Sequence, residues 1–472
     1  EYLADYPWLN QAMQLLFGAI NFEQQIRLVD DENKLAPIKV LSFPESDKMD
    51  VDNNNSNSNK DELNELLKKH SGFIEAAGNI KAGDILEPLI DMFYQSGETI
   101  HRTWSSFFPI AFSSLPHSET LDFTRFMIIL LSKDYHTRQV DMRPNVIQSL
   151  LEGVSRCDDL QLPPFAVECL ASNFDAWSQG IHILENIDEK LVNANAEVRE
   201  VTEDALAKLY ATLKEDDMFY GLWRRRAKYA ETISALSFEQ LGLWDKAQQL
   251  YETAQIKARS GALPYGESEY ALWEDHWILC SEKLQHWDIL TDLARHEGFS
   301  DLLLECGWRV ADWYNDRETL DQTVKNVMDV PTPRRQVFET FLCLQGFGQE
   351  KETLQDLSRL CDEGIQLALR KWHGLPERFA NAHIPLLHTF QQYVEFMEAS
   401  QVYASLVTTN AQNLDMKSQE LKRVLQVWRE RLPNVWDDIN IWNDLVTWRQ
   451  HAFQVINKVY MPFIPVLQQN ST

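Results

Sequence analysis

Leu432–Tyr460 reads LPNVWDDINIWNDLVTWRQHAFQVINKVY. Its apolar residues fall on two stripes. Val435, Ile439, Trp442, Val446, Phe453, Ile456 and Tyr460 make one, interrupted by Arg449. Ile441, Leu445, Trp448, Ala452, Val455 and Val459 make the other. Both step by three and four residues, the period of an α-helix. Pro433 suits a first helical turn, and Asp437 and Asp438 would complement the helix dipole there. A helix that is apolar on two sides is expected to be wedged between neighbours. Trp436, Trp442 and Trp448 are then packing residues, and truncating Trp442 to alanine should cost about 3–5 kcal/mol. A groove for a partner is the other use of such a face.

The rest of the chain agrees with a helical reading. Its 472 residues are many for one compact domain and ordinary for two or three, or for a solenoid. Gly and Pro are scarce, at 17 each, whereas 15 tryptophans imply large buried contacts between helices. The chain begins at Glu1 and ends in a polar tail, which reads as a piece of something larger. A net charge of −27 repels phosphate backbones, so direct nucleic-acid binding is not expected. Basic partners suit that charge better, although solubility alone accounts for it. Cys157, Cys169, Cys280, Cys306, Cys343 and Cys361 stand singly in apolar helical patterns, as buried thiols of a reducing compartment do. The longest apolar run, Phe126–Leu131, is too short to span a bilayer, so no membrane role is expected.

Residues 221–372 carry a repeat. Leu241-x-x-Trp244-Asp245 recurs 43 residues later as Leu284-x-x-Trp287-Asp288, and Leu250 recurs as Leu293. Leu344-x-x-Phe347 is a weaker third copy. LGLWDKAQQLY resembles the turn and second helix of a tetratricopeptide unit, with Gly242 supplying the turn. A helical hairpin cannot bury its apolar face alone and stacks on the next one. Trp244 and Trp287 would lock these hairpins. Around the repeat we expect an N-terminal helical segment (1–44), a disordered Asn/Ser-rich acidic insertion (45–60), irregular helical hairpins (61–220) and C-terminal helices (373–467). Asp84, Pro144, Pro163, Pro164 and Pro333 mark expected helix starts, and Ser172-Asn173 an expected turn. The fold expected is all-α: a solenoid of helical hairpins ending in a long wedged helix.

Two stretches point to a family. LPNVWDDINIWNDLVTWRQHAFQVIN (432–457) and LWEDHWILCSEKLQHWDILTDLARHEGFSDLLLECGWRVADWYN (272–315) resemble the FAT region of the phosphatidylinositol-3-kinase-related kinases, in their transcription-associated pseudokinase branch. The resemblance is strong over 220–460 and looser before. It implies a clamp around a kinase-like domain that lacks catalytic residues. It further implies a nuclear, non-catalytic scaffold within histone acetyltransferase complexes such as SAGA, with other subunits and transcription activators as partners. A FAT clamp of an active kinase, a generic tetratricopeptide adaptor and a helical enzyme stay open beside it.

Enzyme motifs are missing. Gly346-Phe347-Gly348 lacks the third glycine of a phosphate loop. His276 and Cys280 stand four apart, as two zinc ligands on one helix would, but no second pair accompanies them. His383 and His388 have the wrong spacing for one face. Arg224, Arg225, Arg226 and Lys228 form a basic cluster in an acidic chain. They could salt-bridge the acidic helix before them. Arginine forks also suit phosphate groups, and some members of the resembled family hold an inositol phosphate in the FAT region. A site for inositol hexakisphosphate, with Arg334-Arg335 or Arg370-Lys371 contributing, is the alternative; otherwise no cofactor or metal is expected.

Overall fold

The computed structural model describes residues 20–25, 64–72, 80–190 (apart from 94, 114, 158 and 159), 196–310, 322–325, 330–347 and 353–463, with Met13 and Phe17. Most of the N-terminal segment 1–44 and the whole insertion 45–60 lie outside them. Among the described residues every regular element is helical, and the sole β feature is one isolated bridge between Gln25 and Lys81. No helix among them is long and apolar enough to cross a membrane. The chain divides into two compact units, 1–162 and 163–472.

In the first unit, α1 (Ala82–Phe93), α2 (Gly97–Ser113), α3 (His117–Leu131) and α4 (Val146–Ser155) surround an aromatic core. Trp104 and Phe108 of α2 stack at 4.6 Å. α4 packs against them through Gly153, where a Cβ would stand 2.5 Å from the Trp104 ring nitrogen. Asn145 opens α4 with a reciprocal cap: its side chain accepts from the Gln148 backbone N–H, and Gln148 accepts from that of Asn145. Asp84 sits inside the first turn of α1, not before it, and accepts from the Lys81 N–H at 2.9 Å.

The second unit begins where Pro163 and Pro164 open α5 (Pro164–Asn173). Then follow α6 (Trp177–Lys190), α7 (Ala196–Leu213), α8 (Asp216–Arg226), α9 (Ala230–Gln240), α10 (Trp244–Arg259), α11 (Glu267–Lys283), α12 (Trp287–Glu297) and α13 (Ser300–Val310). The turn expected at Ser172-Asn173 falls just after them, at 174–176. α8 runs through position 220. Beyond it lie α14 (Pro333–Phe347), α15 (Leu354–His373), α16 (Ile384–Val407), α17 (Leu414–Glu430) and α18 (Ile439–Tyr460).

The repeat is a repeat of turns. Gly242 and Gln285 both take left-handed φ, +71° and +61°. Leu243 N–H closes on the Phe238 carbonyl and, 43 residues on, His286 N–H closes on the Ser281 carbonyl, both at 2.9 Å. Trp244 and Trp287 then start their helices. Trp287 is buried and Trp244 half-buried. The third copy is different: Leu344 and Phe347 lie in the last turn of α14, so no hairpin turn stands there.

The C-terminal helix also departs from expectation. It begins at Ile439, capped by Asp438, whose side chain accepts from Asn440 N–H at 3.0 Å. Pro433 lies outside it. Leu445, Trp448, Ala452 and Ile456 are buried, whereas Ile439, Val446 and Phe453 are exposed. The helix buries one face and is not wedged. Trp436 is 95% exposed and packs nothing; Trp442 is half-buried, its ring N–H donating to the Asn434 carbonyl at 3.0 Å. The polar interruption Arg449 is buried, forked onto the fully buried Glu395 of α16 at 2.8 and 3.1 Å. An ion pair replaced the apolar neighbour that the stripe pattern called for.

Candidate functional site

The second unit does not simply stack hairpin on hairpin. Trp177, opening α6, donates its ring N–H to the carbonyl of Gly374 at 2.5 Å. A Cβ at Gly374 would stand 2.7 Å from the Asp175 carboxylate, so a larger residue there would displace that side chain. Asn381 donates to the carbonyl of Lys214 at 3.3 Å. α18 lies across α11 and α13. Beside these contacts lies a half-open cavity of about 1020 Å³. α8, α11, α13, α16, α18 and the segment 431–438 all reach it.

Its wall is a network of charges. Arg334 forks onto Glu305 at 2.6 and 2.7 Å and reaches Asp444 at 2.7 Å. Arg309 meets Glu305 and Asp444 from the other side, each at 2.6 Å, and lies 4.3 Å over the Trp287 ring. Burial alone would raise the Glu305 carboxyl, but Arg334 and Arg309 outweigh it and hold the group at about 2. Burial lowers His388, against the pull of Asp437 and Asp444. Burial raises Glu282, and neighbouring Glu305 adds to the rise. Asp438, which burial would raise, is lowered instead by its contact with Lys283. Basic and acidic side chains thus line the cavity together: Lys214, Arg309, Arg334, Lys371 and Arg431 face Asp216, Glu282, Glu305, Asp437, Asp438 and Asp444.

Gln285 joins the repeat to this wall. Its amide donates to Asn440 Oδ1 at 2.9 Å and accepts from Asn443 and, at 3.0 Å, from the Trp287 ring N–H. The left-handed turn of the second hairpin therefore presents a side chain that docks the start of α18. Sequence reading gave Gly242 the turn and overlooked Gln285; the 43-residue offset was the signal that could have found it.

The basic cluster lies elsewhere. Arg225 pairs with Asp188 at 2.5 Å and Glu203 at 3.4 Å, and Arg226 with Asp204 and Glu203. Lys228 meets Glu200 at 3.1 Å, and Arg224 donates to Gln240 at 2.5 Å. Arg226 also lies 4.3 Å over the Trp223 ring. The ion pairs of Arg225 and Arg226 join α8 to the acidic α6 and α7. Arg226 and Lys228 border a small recess of about 190 Å³, which Glu200, Glu203 and Glu269 share. Of the other basic pairs, Arg334 and Lys371 reach the large cavity, while Arg335 forks onto Asp301 at 2.8 Å.

His276 and Cys280 converge as their spacing predicts, but on a carboxylate. Glu239 of α9 accepts from His276 Nδ1 at 2.9 Å, from Cys280 Sγ at 3.5 Å and from Tyr220 OH at 3.1 Å. Burial, and then Glu239, push the Cys280 thiol up, so it stays a protonated donor. Among the described residues no group of His, Cys, Asp and Glu is arranged to hold a metal ion. Cys280, Cys306, Cys343 and Cys361 are buried thiols, whereas Cys169 is exposed.

Comparisons with known proteins give the wider setting. Residues 1–157 match the family described as the Tra1 HEAT repeat ring region, and residues 300–468 match the FAT domain. The chain is 57% identical over its whole length to the SAGA complex/NuA4 acetyltransferase complex subunit TRA1 of Saccharomyces cerevisiae, covering 12% of that protein. It is 44% identical to the Schizosaccharomyces pombe subunit Tra1, with 98% of this chain and 13% of the relative aligned. To the human transformation/transcription domain-associated protein it is 31% identical, with 92% of this chain and 12% of the relative aligned. The chain spans about an eighth of the length of these relatives.

Proposed function

Since this chain belongs to the Tra1/TRRAP family of transcription-associated proteins, we propose that it is a non-catalytic scaffold region of a coactivator subunit in histone acetyltransferase complexes of the SAGA and NuA4 kind. The observation that carries this reading is the 57% identity along the entire chain to a protein named as a subunit of both complexes. The work of such a region is to hold surfaces in fixed relation. The long-range contacts from Trp177 to Gly374 and from Gln285 to Asn440 support it, because they fix helices far apart in sequence. Its partners would be the other complex subunits, a kinase-like domain and transcription activators, in the nucleus.

The test is a joint assay of the tagged full-length protein purified from nuclear extract. Acetyltransferase activity without kinase activity is the expected result. Kinase activity that follows the tagged chain, without acetyltransferase, would make it the clamp of an active kinase instead.

We also propose that Arg224–Arg226 and Lys228 serve as the latch between helices and not as a polyanion site. What supports this is that the forks of Arg225 and Arg226 already face carboxylates. Titration with inositol hexakisphosphate should leave this cluster indifferent. Saturable binding that Arg225→Gln and Arg226→Gln abolish, with folding intact, would reverse the assignment.

A further inference from the structure

Glu282 stands in the last turn of α11 and lines the large cavity, half-buried. The charges around it pair off without it. Arg309 and Arg334 each bridge Glu305 and Asp444, and Lys283 meets Asp438. Three cations thus meet three carboxylates, and Glu282 is the fourth. Its side chain makes no hydrogen bond and no ion pair among the described residues. Burial and Glu305 raise its carboxyl, against Arg309 and Lys283. Lys214 and Lys371 reach the cavity from exposed positions and are not among the charges that act most on Glu282. The end of α11 adds to the imbalance. A helix C-terminus is the negative pole of the helix dipole, so it disfavours a carboxylate and favours a cation. A carboxylate drawn out of water without a partner is costly to keep.

The kind of cation follows from the surroundings. Among the described residues no group of His, Cys, Asp and Glu is arranged to hold a metal ion. The cavity, at about 1020 Å³, has room for a larger ligand. Leu386, Leu432, Pro433, Ile441 and Leu445 supply it with apolar wall, which suits an alkyl stem. In this wall each guanidinium spans two carboxylates, whereas Glu282 stands alone, the setting for a compact point charge. We propose that the cavity takes a primary ammonium group on an alkyl stem, with Glu282 as its counter-charge. The ammonium donates to the Glu282 carboxylate at the end of α11, and the stem lies on the apolar wall. A lysine side chain of a protein segment and a free polyamine both carry this chemistry. The inference stands apart from the scaffold reading.

Two measurements on the full-length protein test this and separate the two sources. In the intact assembly, a carbodiimide joins carboxylates to the amines that touch them, and the joined peptides are sequenced by mass spectrometry. A bond from Glu282 to a lysine outside the cavity wall identifies a protein segment as the occupant, and its sequence says which. For the purified chain, equilibrium dialysis against radiolabelled spermidine reads a free polyamine. Saturable binding that Glu282→Gln weakens by about tenfold or more identifies that source. At least one of the two results is expected. The Glu282→Gln protein should unfold at the same temperature as the parent or higher, because it loses an unpaired charge. A fall of several degrees would reveal a partner for Glu282 within the fold and overturn the proposal. Bonds from Glu282 only to Lys214, Lys283 or Lys371, without Glu282-dependent spermidine binding, would overturn it too. So would the absence of any bond from Glu282 together with the absence of such binding.

Discussion

The paired hairpins α9–α12 and the C-terminal helix α18 are both rich in tryptophan, yet different forces hold them. The hairpins bury Ala247, Tyr251, Trp273 and Leu290 against elements that follow one another in the chain. α18 has an apolar side too, where Trp448 stands edge-on to Trp428 at 5.1 Å. Its placement, however, depends on polar contacts across long sequence separations: Arg449 with Glu395, Asp444 with Arg309 and Arg334, and Asn440 and Asn443 with Gln285. Apolar burial is non-directional and tolerates small slips. Hydrogen-bonded charges do not, since breaking one leaves its partner desolvated and unpaired. The hairpins therefore supply bulk stability, and the polar seam determines where α18 sits.

The sharpest way to break that distinction is Arg449→Ala. It strands the buried Glu395 carboxylate and should destabilise the second unit by about 3–5 kcal/mol in denaturant unfolding. Replacing the pair together, Arg449→Met with Glu395→Leu, should recover most of the loss. If the double variant is as unstable as the single one, the pair contributes more than mutual neutralisation.

Acid should loosen the seam before the hairpins. Glu305 sits at about 2 when folded, below its ordinary value of 4.5. A depressed carboxyl contributes stability above the unfolded value, and that contribution is lost as pH falls through the folded one. Between roughly pH 4.5 and 2 the seam should lose about 3 kcal/mol. Glu305→Gln should flatten this slope in pH-dependent unfolding; an unchanged slope would mean that other carboxylates govern it.

Two further comparisons concern the two turns and the two tryptophans. Gln285→Gly relieves the left-handed backbone but removes the contacts to Asn440, Asn443 and Trp287. The net loss should be about 1–2 kcal/mol. Hydrogen exchange should then quicken over 439–446 and stay unchanged over 230–283; uniform quickening would show that the hairpins and α18 open together. Trp448→Ala should cost about 3–5 kcal/mol as a core truncation, whereas half-buried Trp442→Ala should cost about 1 kcal/mol. Equal losses would restore the wedged reading of α18.

Local periodicity made much of this fold readable. The three–four spacing gave α18, Gly242 gave the first hairpin turn, and Pro163-Pro164 and Pro333 gave helix starts, whereas the matching turn at Gln285, marked by the offset of 43 residues, was overlooked. Which stripe of α18 would be buried was not readable. Both stripes have the same period, and the choice depends on α16 and α17, which pack from outside the segment. Trp436 misled for the same reason, because tryptophan content predicts contact without saying whether the contact is inside this chain. The cavity wall was hidden more deeply: Glu305, Arg334 and Asp444 look like ordinary surface charges in sequence, and only chain closure brings them together. The basic cluster was ambiguous between latch and polyanion site in sequence, because the carboxylates that face it, Asp188, Glu203 and Asp204, come from α6 and α7.

A tandem array has a problem of address: its units look alike, so an element that must dock on one of them can settle one unit away. Here the two hairpins are marked at the same turn position, one by an amide side chain and the other by none. A shift of α18 by one unit would set Asn440 and Asn443 against Gly242, where nothing answers. Gln285 thus acts as a label that the correct hairpin carries and its neighbour lacks, so that α18 can recognise one position in a repeating surface.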